Sequence, residues 1–244
     1  MPDDFRRYAE LAELAGSFIH EIKNHLGTLG LNLQLLAEDF QNPQNQRERR
    51  ALERMQRLQS ECQRLVEVSN DFLRFARIEE LNLQPTALNE VVEELLEFFE
   101  PTARQANIDI KCYLPADLPR VPLDRELFKQ ALLNLLLNAQ QAMPGGGQVT
   151  IQAKPIAVSP VGEPKSAIRN SQSAIEVCVI DTGQGMSPEV VASAFKPFFS
   201  TRTDGTGLGL PTTRKIIAAH GGTIELESAQ GRGTRFTIRL PASV

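Results

Sequence analysis

Between Leu11 and Phe40 the apolar residues fall at Leu11, Ala15, Phe18, Ile22, Leu26, Leu29, Leu33, Leu36 and Phe40, in alternating steps of three and four. That spacing puts them on one side of a helix, and at ~3.6 residues per turn the stripe is about eight turns long. The proline and amides of QNPQNQ (41–46) interrupt it. A second stripe then runs through Leu52, Met55, Leu58, Cys62, Leu65, Ser69, Phe72 and Ala76. Two long amphipathic helices joined by so short a loop form an antiparallel hairpin. One hairpin cannot bury both stripes by itself, and the near coiled-coil spacing favours pairing with a second copy. A homodimer with a four-helix bundle is therefore expected.

After LNLQPTAL the period changes. Helices are expected at about 89–106 and 124–143. Strand patterns appear in IDIKCYL, QVTIQA, AIEVCVID, GTIELES and TRFTIRL. Short strands interleaved with helices through Gly-rich links predict an α+β two-layer sandwich, with helices on one face of a mixed sheet. The break between the halves falls near 80–86, which divides the chain into domains at 1–80 and 81–244. Residues 154–173 carry Pro155, Pro160 and Pro164 with little periodicity and read as a mobile hairpin insertion between two strands.

The formal net charge of −4 over 244 residues offers no basic surface for phosphate backbones, so no nucleic-acid partner is expected. Cys62, Cys112 and Cys178 lie far apart with no CxxC pair, which suits a reducing compartment. No run approaches the ~20 apolar residues of a membrane span, and MPDDFRRYAE lacks the apolar core of a signal peptide. The expectation is a cytoplasmic chain without membrane contact, or the cytosolic part of something longer.

The chain has three histidines, and two of them stand in FIHEIKNHLGTL (18–29). At ~100° per residue His20 lies ~160° from Phe18 and Ile22, facing solvent, whereas His25 lies within about 60° of Ile22 and Leu29 on the stripe. Glu21 is adjacent to His20 and Asn24 sits one turn on, so an imidazole, a carboxylate and an amide share one exposed patch. Neutral imidazole is a nucleophile, and a neighbouring carboxylate can fix its tautomer and accept its proton. A solvated polar face accounts for the same residues.

Four signals follow in the second half. In NLLLNA, Asn134 and Asn138 are one turn apart on a helix ended by PGGG; side-chain carbonyls so placed suit Mg²⁺ beside a triphosphate. In DTGQGM, Asp181 ends a buried-looking strand and can accept from an exocyclic amine, while Gly183 and Gly185 permit close approach of a flat base. FKPFFSTR (195–202) reads as an aromatic, partly basic lid, or as a loop pinned by Phe195, Phe198 and Phe199. GTGLGL (205–210) runs into the helix of PTTRKIIAAH, whose free N–H groups attract phosphate. An ordinary turn or a wet helix edge explains each alone; their weight comes from occurring together.

HEIKN resembles the phosphoacceptor box of sensor histidine kinases of two-component signalling. NLLLNA, DTGQGM, FKPFFSTR and GTGLGL resemble the four boxes of their ATP-binding domain, in order, over residues ~11–240. The resemblance implies a dimerisation and histidine-phosphotransfer hairpin followed by an ATP-binding sandwich of the kind shared with gyrase. It implies that His20 is the phosphorylated residue, Glu21 the acid that assists proton removal and Asn24 the amide of a phosphatase activity. It further implies that Asn138 coordinates Mg²⁺ with Asn134 on the phosphate side. Asp181 reads adenine, Gly183, Gly185, Gly205, Gly207, Gly209 and Leu210 form the nucleotide loops, and Arg202 meets the terminal phosphate. The implied partner is the receiver domain of a response regulator. One departure stands out: His25 occupies a position where the family usually has proline, so the usual helix kink is not expected.

Rivals in the same ATP-binding superfamily hydrolyse ATP with a glutamate four residues before the Mg²⁺ asparagine, where this chain has Asn134. Phosphoryl transfer to protein is favoured over hydrolysis. A serine-phosphorylating kinase would not need the hairpin with its HExxN patch. A silent scaffold would not need Asn138, Asp181 and the loop glycines.

Overall fold

A computed structural model describes residues 3–76, 78, 81–158, 172–202 and 205–242. The chain divides into two compact units, Met1–Arg77 with Arg202–Leu208, and Ile78–Thr201 with Gly209–Val244.

The first unit is the hairpin of α1 (Asp3–Asp39) and α2 (Gln46–Ala76). Asn45 caps α2 by accepting from Glu48 N–H at 3.0 Å, and the Glu48 carboxylate reaches back to Gln44 N–H at 2.6 Å. These bonds satisfy donors that the first turn leaves open and fix where α2 begins. Leu33 and Cys62 are buried where the helices meet, and Gly30 faces Cys62 there, with room for a Cβ at 4.0 Å, an ordinary contact distance. Leu29, Leu36, Leu58 and Leu65 of the same stripes remain 49–55% exposed. A single hairpin thus leaves these four leucines of its apolar seam uncovered. α1 runs unbroken through His25, which is exposed beside that seam.

The second unit opens with β1 (Gln84–Thr86), which pairs antiparallel with β3 (Val121–Leu123). α3 (Leu88–Gln105) and α4 (Arg125–Ala142) match the expected helices to within a residue. The main sheet has the order β2-β4-β5-β7-β6, built from β2 (Ile108–Tyr113), β4 (Gly147–Val158), β5 (Gln172–Asp181), β6 (Thr223–Ser228) and β7 (Thr234–Pro241). Only β2 and β4 are parallel, so the sheet is mixed.

Alternation along the strands makes the two layers. Val149, Ile151, Ile175, Val177, Val179, Phe236, Ile238 and Leu240 face inward and join Val92, Leu95, Phe99, Phe128, Leu132 and Leu136 of α3 and α4 in one core. The other face carries the ion chain Lys154–Glu176–Arg239–Glu225, with contacts of 3.0, 3.0 and 2.7 Å. Its cations hold the Glu176 carboxyl below the ordinary carboxylate range. α5 (Pro188–Ser193), capped by Ser187, and α6 (Gly209–Ala219) complete the unit.

Of the insertion expected at 154–173, residues 154–158 belong to β4 and 172–173 to β5. The β4–β5 ladder continues to the pair Val158–Gln172, and residues 159–171 lie outside the described residues. Among the described residues no helix is long and apolar enough to cross a membrane.

Candidate functional site

In α4, Leu132, Leu135, Leu136 and Ala139 turn into the core, which leaves Asn134 and Asn138 together on the helix edge, half-buried. The two amides are used differently. Asn134 Nδ2 donates to Gly209 O at 3.2 Å and to Thr213 Oγ1 at 3.4 Å, and so holds the first turn of α6 against α4. No hydrogen bond engages the Asn138 side chain among the described residues, so its amide oxygen is open to a ligand. That oxygen fits a hard cation that prefers oxygen donors and shares them with phosphate. α6 begins at Gly209, with Leu210 half-buried on the core beside it, and its first N–H groups form an anion-attracting end.

Asp181 ends β5 and is buried. Its Oδ1 accepts from Gly183 N–H at 2.8 Å and from Thr234 N–H at 3.2 Å. Burial pushes the carboxyl above the ordinary carboxylate range, and these bonds, with the Thr234 side chain, pull it back down. The loop after Asp181 packs on the end of α4: Gln184 N–H donates to Ala142 O at 3.1 Å, and a Cβ on Gly183 would press to 2.8 Å from Ala142. Gly185 has φ +66, and a side chain there would run into the Ala229 carbonyl. The strand-end carboxylate, the two glycines, Asn134, Asn138, Gly209 and Leu210 are therefore gathered in the second unit, with the loop after Asp181 and the α6 start both resting on α4.

The aromatic segment is pinned less fully than its sequence suggested. Phe195 packs on the core and lies under the Arg214 guanidinium, 5.2 Å from the ring centre. Arg214 also donates to Phe195 O at 3.3 Å, and burial lowers this guanidinium from its ordinary value. Phe198 instead is 52% exposed with φ +63, a left-handed backbone that a bulky residue rarely adopts.

Glu21, Asn24 and Arg202 are exposed, as is His25. The backbone of His20 belongs to α1, while its side chain lies outside the described residues. Gly205 N–H donates to Arg202 O at 3.4 Å, and Gly207 has φ +68.

Thr234 and Gly233 contribute to the site without having been singled out in the sequence. Gly233 has φ +74, and a Cβ there would collide with the Asp181 carbonyl. The GRGT run before the last strand was the available signal. Two further unanticipated residues, Thr213 and His220, hold α6; Thr213 is fully buried, with Oγ1 3.0 Å from Gly209 O.

A family model described as "Histidine kinase-, DNA gyrase B-, and HSP90-like ATPase" matches residues 123–244. The chain is 34% identical over 235 residues to the signal transduction histidine-protein kinase AtoS of Escherichia coli (strain K12), covering 96% of this chain and 35% of that protein. It is 34% identical over 233 residues to the sensor histidine kinase ZraS of Klebsiella oxytoca, covering 96% and 46%. It thus spans less than half the length of these relatives. Among solved structures, full-length ShkA in complex with AMPPNP has a TM-score of 0.65 at 27% identity, covering 95% of this chain and 46% of that one. The catalytic domain of the histidine kinase ThkA has a TM-score of 0.55 at 31% identity, covering 67% and 100%. The chain belongs to the histidine kinase-, DNA gyrase B- and HSP90-like ATPase family, and AtoS and ZraS, whose matches each cover 96% of it, are histidine kinases.

Proposed function

We propose that this chain is an ATP-dependent autophosphorylating protein histidine kinase of the cytoplasm, in which His20 takes the γ-phosphoryl group of ATP and passes it to an aspartate of a response-regulator receiver domain. Asp181 with Gly183 and Gly185 receives the adenine, and the N-terminus of α6 receives phosphate. Asn138 would hold Mg²⁺, which supplies charge neutralisation at the phosphates. Residues 1–80 form the dimerisation and phosphotransfer domain, and 81–244 the ATP-binding domain.

In the transfer, a ring nitrogen of His20 forms an N–P bond as the bond between the γ-phosphorus and the β,γ-bridging oxygen breaks, and ADP leaves. Glu21 accepts the proton from the other ring nitrogen. Such a transition state asks mainly for positioning and charge neutralisation, to which the α6 N-terminus and Arg202 contribute.

The observation that carries the reading is the engagement of Asn134. At the place where ATP-hydrolysing relatives need a carboxylate base, this chain has an amide already committed to Gly209 O and Thr213. An amide cannot act as that base, which favours transfer to a protein nucleophile over hydrolysis. The exposed stripe of Leu29, Leu36, Leu58 and Leu65 supports the homodimer, since a second hairpin would cover it.

Incubation with γ-labelled ATP tests the chemistry. An acid-labile, alkali-stable label on the protein is expected, because a phosphoramidate has that stability. An acid-stable label, or free phosphate released without labelled protein, would contradict the reading. We further propose that Asn24, one turn from His20, serves removal of phosphate from the regulator. Asn24→Ala should keep autophosphorylation within about threefold and slow regulator dephosphorylation by about tenfold or more; an unchanged dephosphorylation rate removes that role.

A further inference from the structure

His220 follows α6 and is 4% exposed, and neither imidazole nitrogen is idle. Its Nδ1 lies 2.8 Å from Ile216 O, and its Nε2 lies 2.9 Å from the backbone nitrogen of Asp124. A carbonyl can only accept and a backbone N–H can only donate. The geometry therefore admits one neutral form, with hydrogen on Nδ1 and the lone pair on Nε2. The ring of Phe128 meets the imidazole edge-on at 6.3 Å and 65°, which fixes its plane.

The two bonds differ in importance. Ile216 O already accepts His220's own backbone N–H at 3.1 Å, so the Nδ1 bond is a second one on a satisfied carbonyl. Asp124 N–H, in contrast, has the imidazole as its acceptor at the point where α4 begins. The Asp124 side chain is taken up by Leu127 N–H and Asn82 N–H, each at 3.1 Å. A buried N–H left without an acceptor is costly, so the Nε2 lone pair is the part of His220 on which the start of α4 depends.

This contact ties the end of α6 to the start of α4, while Asn134 ties the start of α6 to the middle of α4. At ~1.5 Å per residue the ties are about 15 Å apart along α4 and about 16 Å apart along α6. Two antiparallel segments of matched length, hydrogen-bonded near both ends, resist sliding and pivoting. Asn138 and the N-terminus of α6 are the groups whose relative position this fixes.

We propose that His220 is a positioning residue of the nucleotide site, acting through its Nε2 acceptor on Asp124 N–H to hold α4 and α6 in register for triphosphate binding. The proposal rests on the nucleotide-binding reading given above. Glutamine places its amide oxygen near the position of Nε2, whereas asparagine places its polar atoms near Nδ1. The full chain as wild type, His220→Gln and His220→Asn is titrated with AMPPNP and Mg²⁺ well below each unfolding temperature, and the wild-type ring is examined by ¹⁵N NMR. Expected are the Nδ1–H tautomer in wild type, AMPPNP affinity of His220→Gln within about threefold of wild type, and a loss of about tenfold or more in His220→Asn. The Nε2–H tautomer, wild-type affinity in His220→Asn, or equal losses in both variants would overturn the proposal, and the Nε2–H tautomer would do so even if a variant fails to fold. Absence of AMPPNP binding by wild type would instead refute the nucleotide reading and leave the tautomer result standing.

Discussion

His20→Gln is expected to lower phosphoryl incorporation from γ-labelled ATP by at least about a thousandfold, since removal of the nucleophile removes the covalent step itself. Glutamine is a good helix former, so α1 should persist. Asp181, Asn138 and the start of α6 belong to the second unit, and nucleotide affinity should stay within about twofold. That split, chemistry lost with binding retained, is the signature of a phosphoacceptor. Undiminished label on the variant that survives acid would place the chemistry elsewhere.

Asp181→Asn should lower ATP affinity by about a hundredfold, because the amide nitrogen would present a donor where the exocyclic amine of adenine also donates. The same change should raise the stability of the nucleotide-free protein at neutral pH. Asparagine keeps an oxygen for Gly183 and Thr234 N–H but carries no buried charge. The sign follows from the raised carboxyl of folded Asp181. Between the ordinary carboxylate value and the raised one, the folded protein binds more protons than the unfolded chain, so wild-type stability falls as pH rises through that window. The variant lacks this slope. Its Tm advantage at pH ~7 should shrink by pH ~3, where both states of the wild type are protonated. A variant that binds ATP like wild type and melts lower at neutral pH would contradict both expectations.

What the sequence made legible was whatever repeats or is local. The three-and-four stripes defined α1 and α2, and period-two alternation located β2, β4, β5, β6 and β7, because burial on one face imposes those periods. Asp181 with Gly183 and Gly185 could be read as a unit, since the Asp181–Gly183 bond spans two residues. What escaped was set by distant partners or by elements too short for a period. β1 and β3 are three residues each and contain Pro85 and Pro122, so nothing in either sequence marks a strand. Thr234 meets Asp181 across 53 residues, and His220 meets Asp124 across 96. Phe198 looked like an anchor by its type, but a left-handed backbone turns it outward. Asn134 was legible as a site residue, while its engagement with Gly209 required the packing of α4 on α6 to be seen.

The most direct test of the central claim is to treat the full chain with ATP and Mg²⁺ and map the modified residue by mass spectrometry at neutral to alkaline pH, where a phosphoramidate survives. The account predicts a single added phosphoryl group on the peptide containing FIHEIKNHL, located on His20 and absent from His25. Phosphate on His25, on a serine or threonine, or on no residue at all despite ATP turnover, would contradict it.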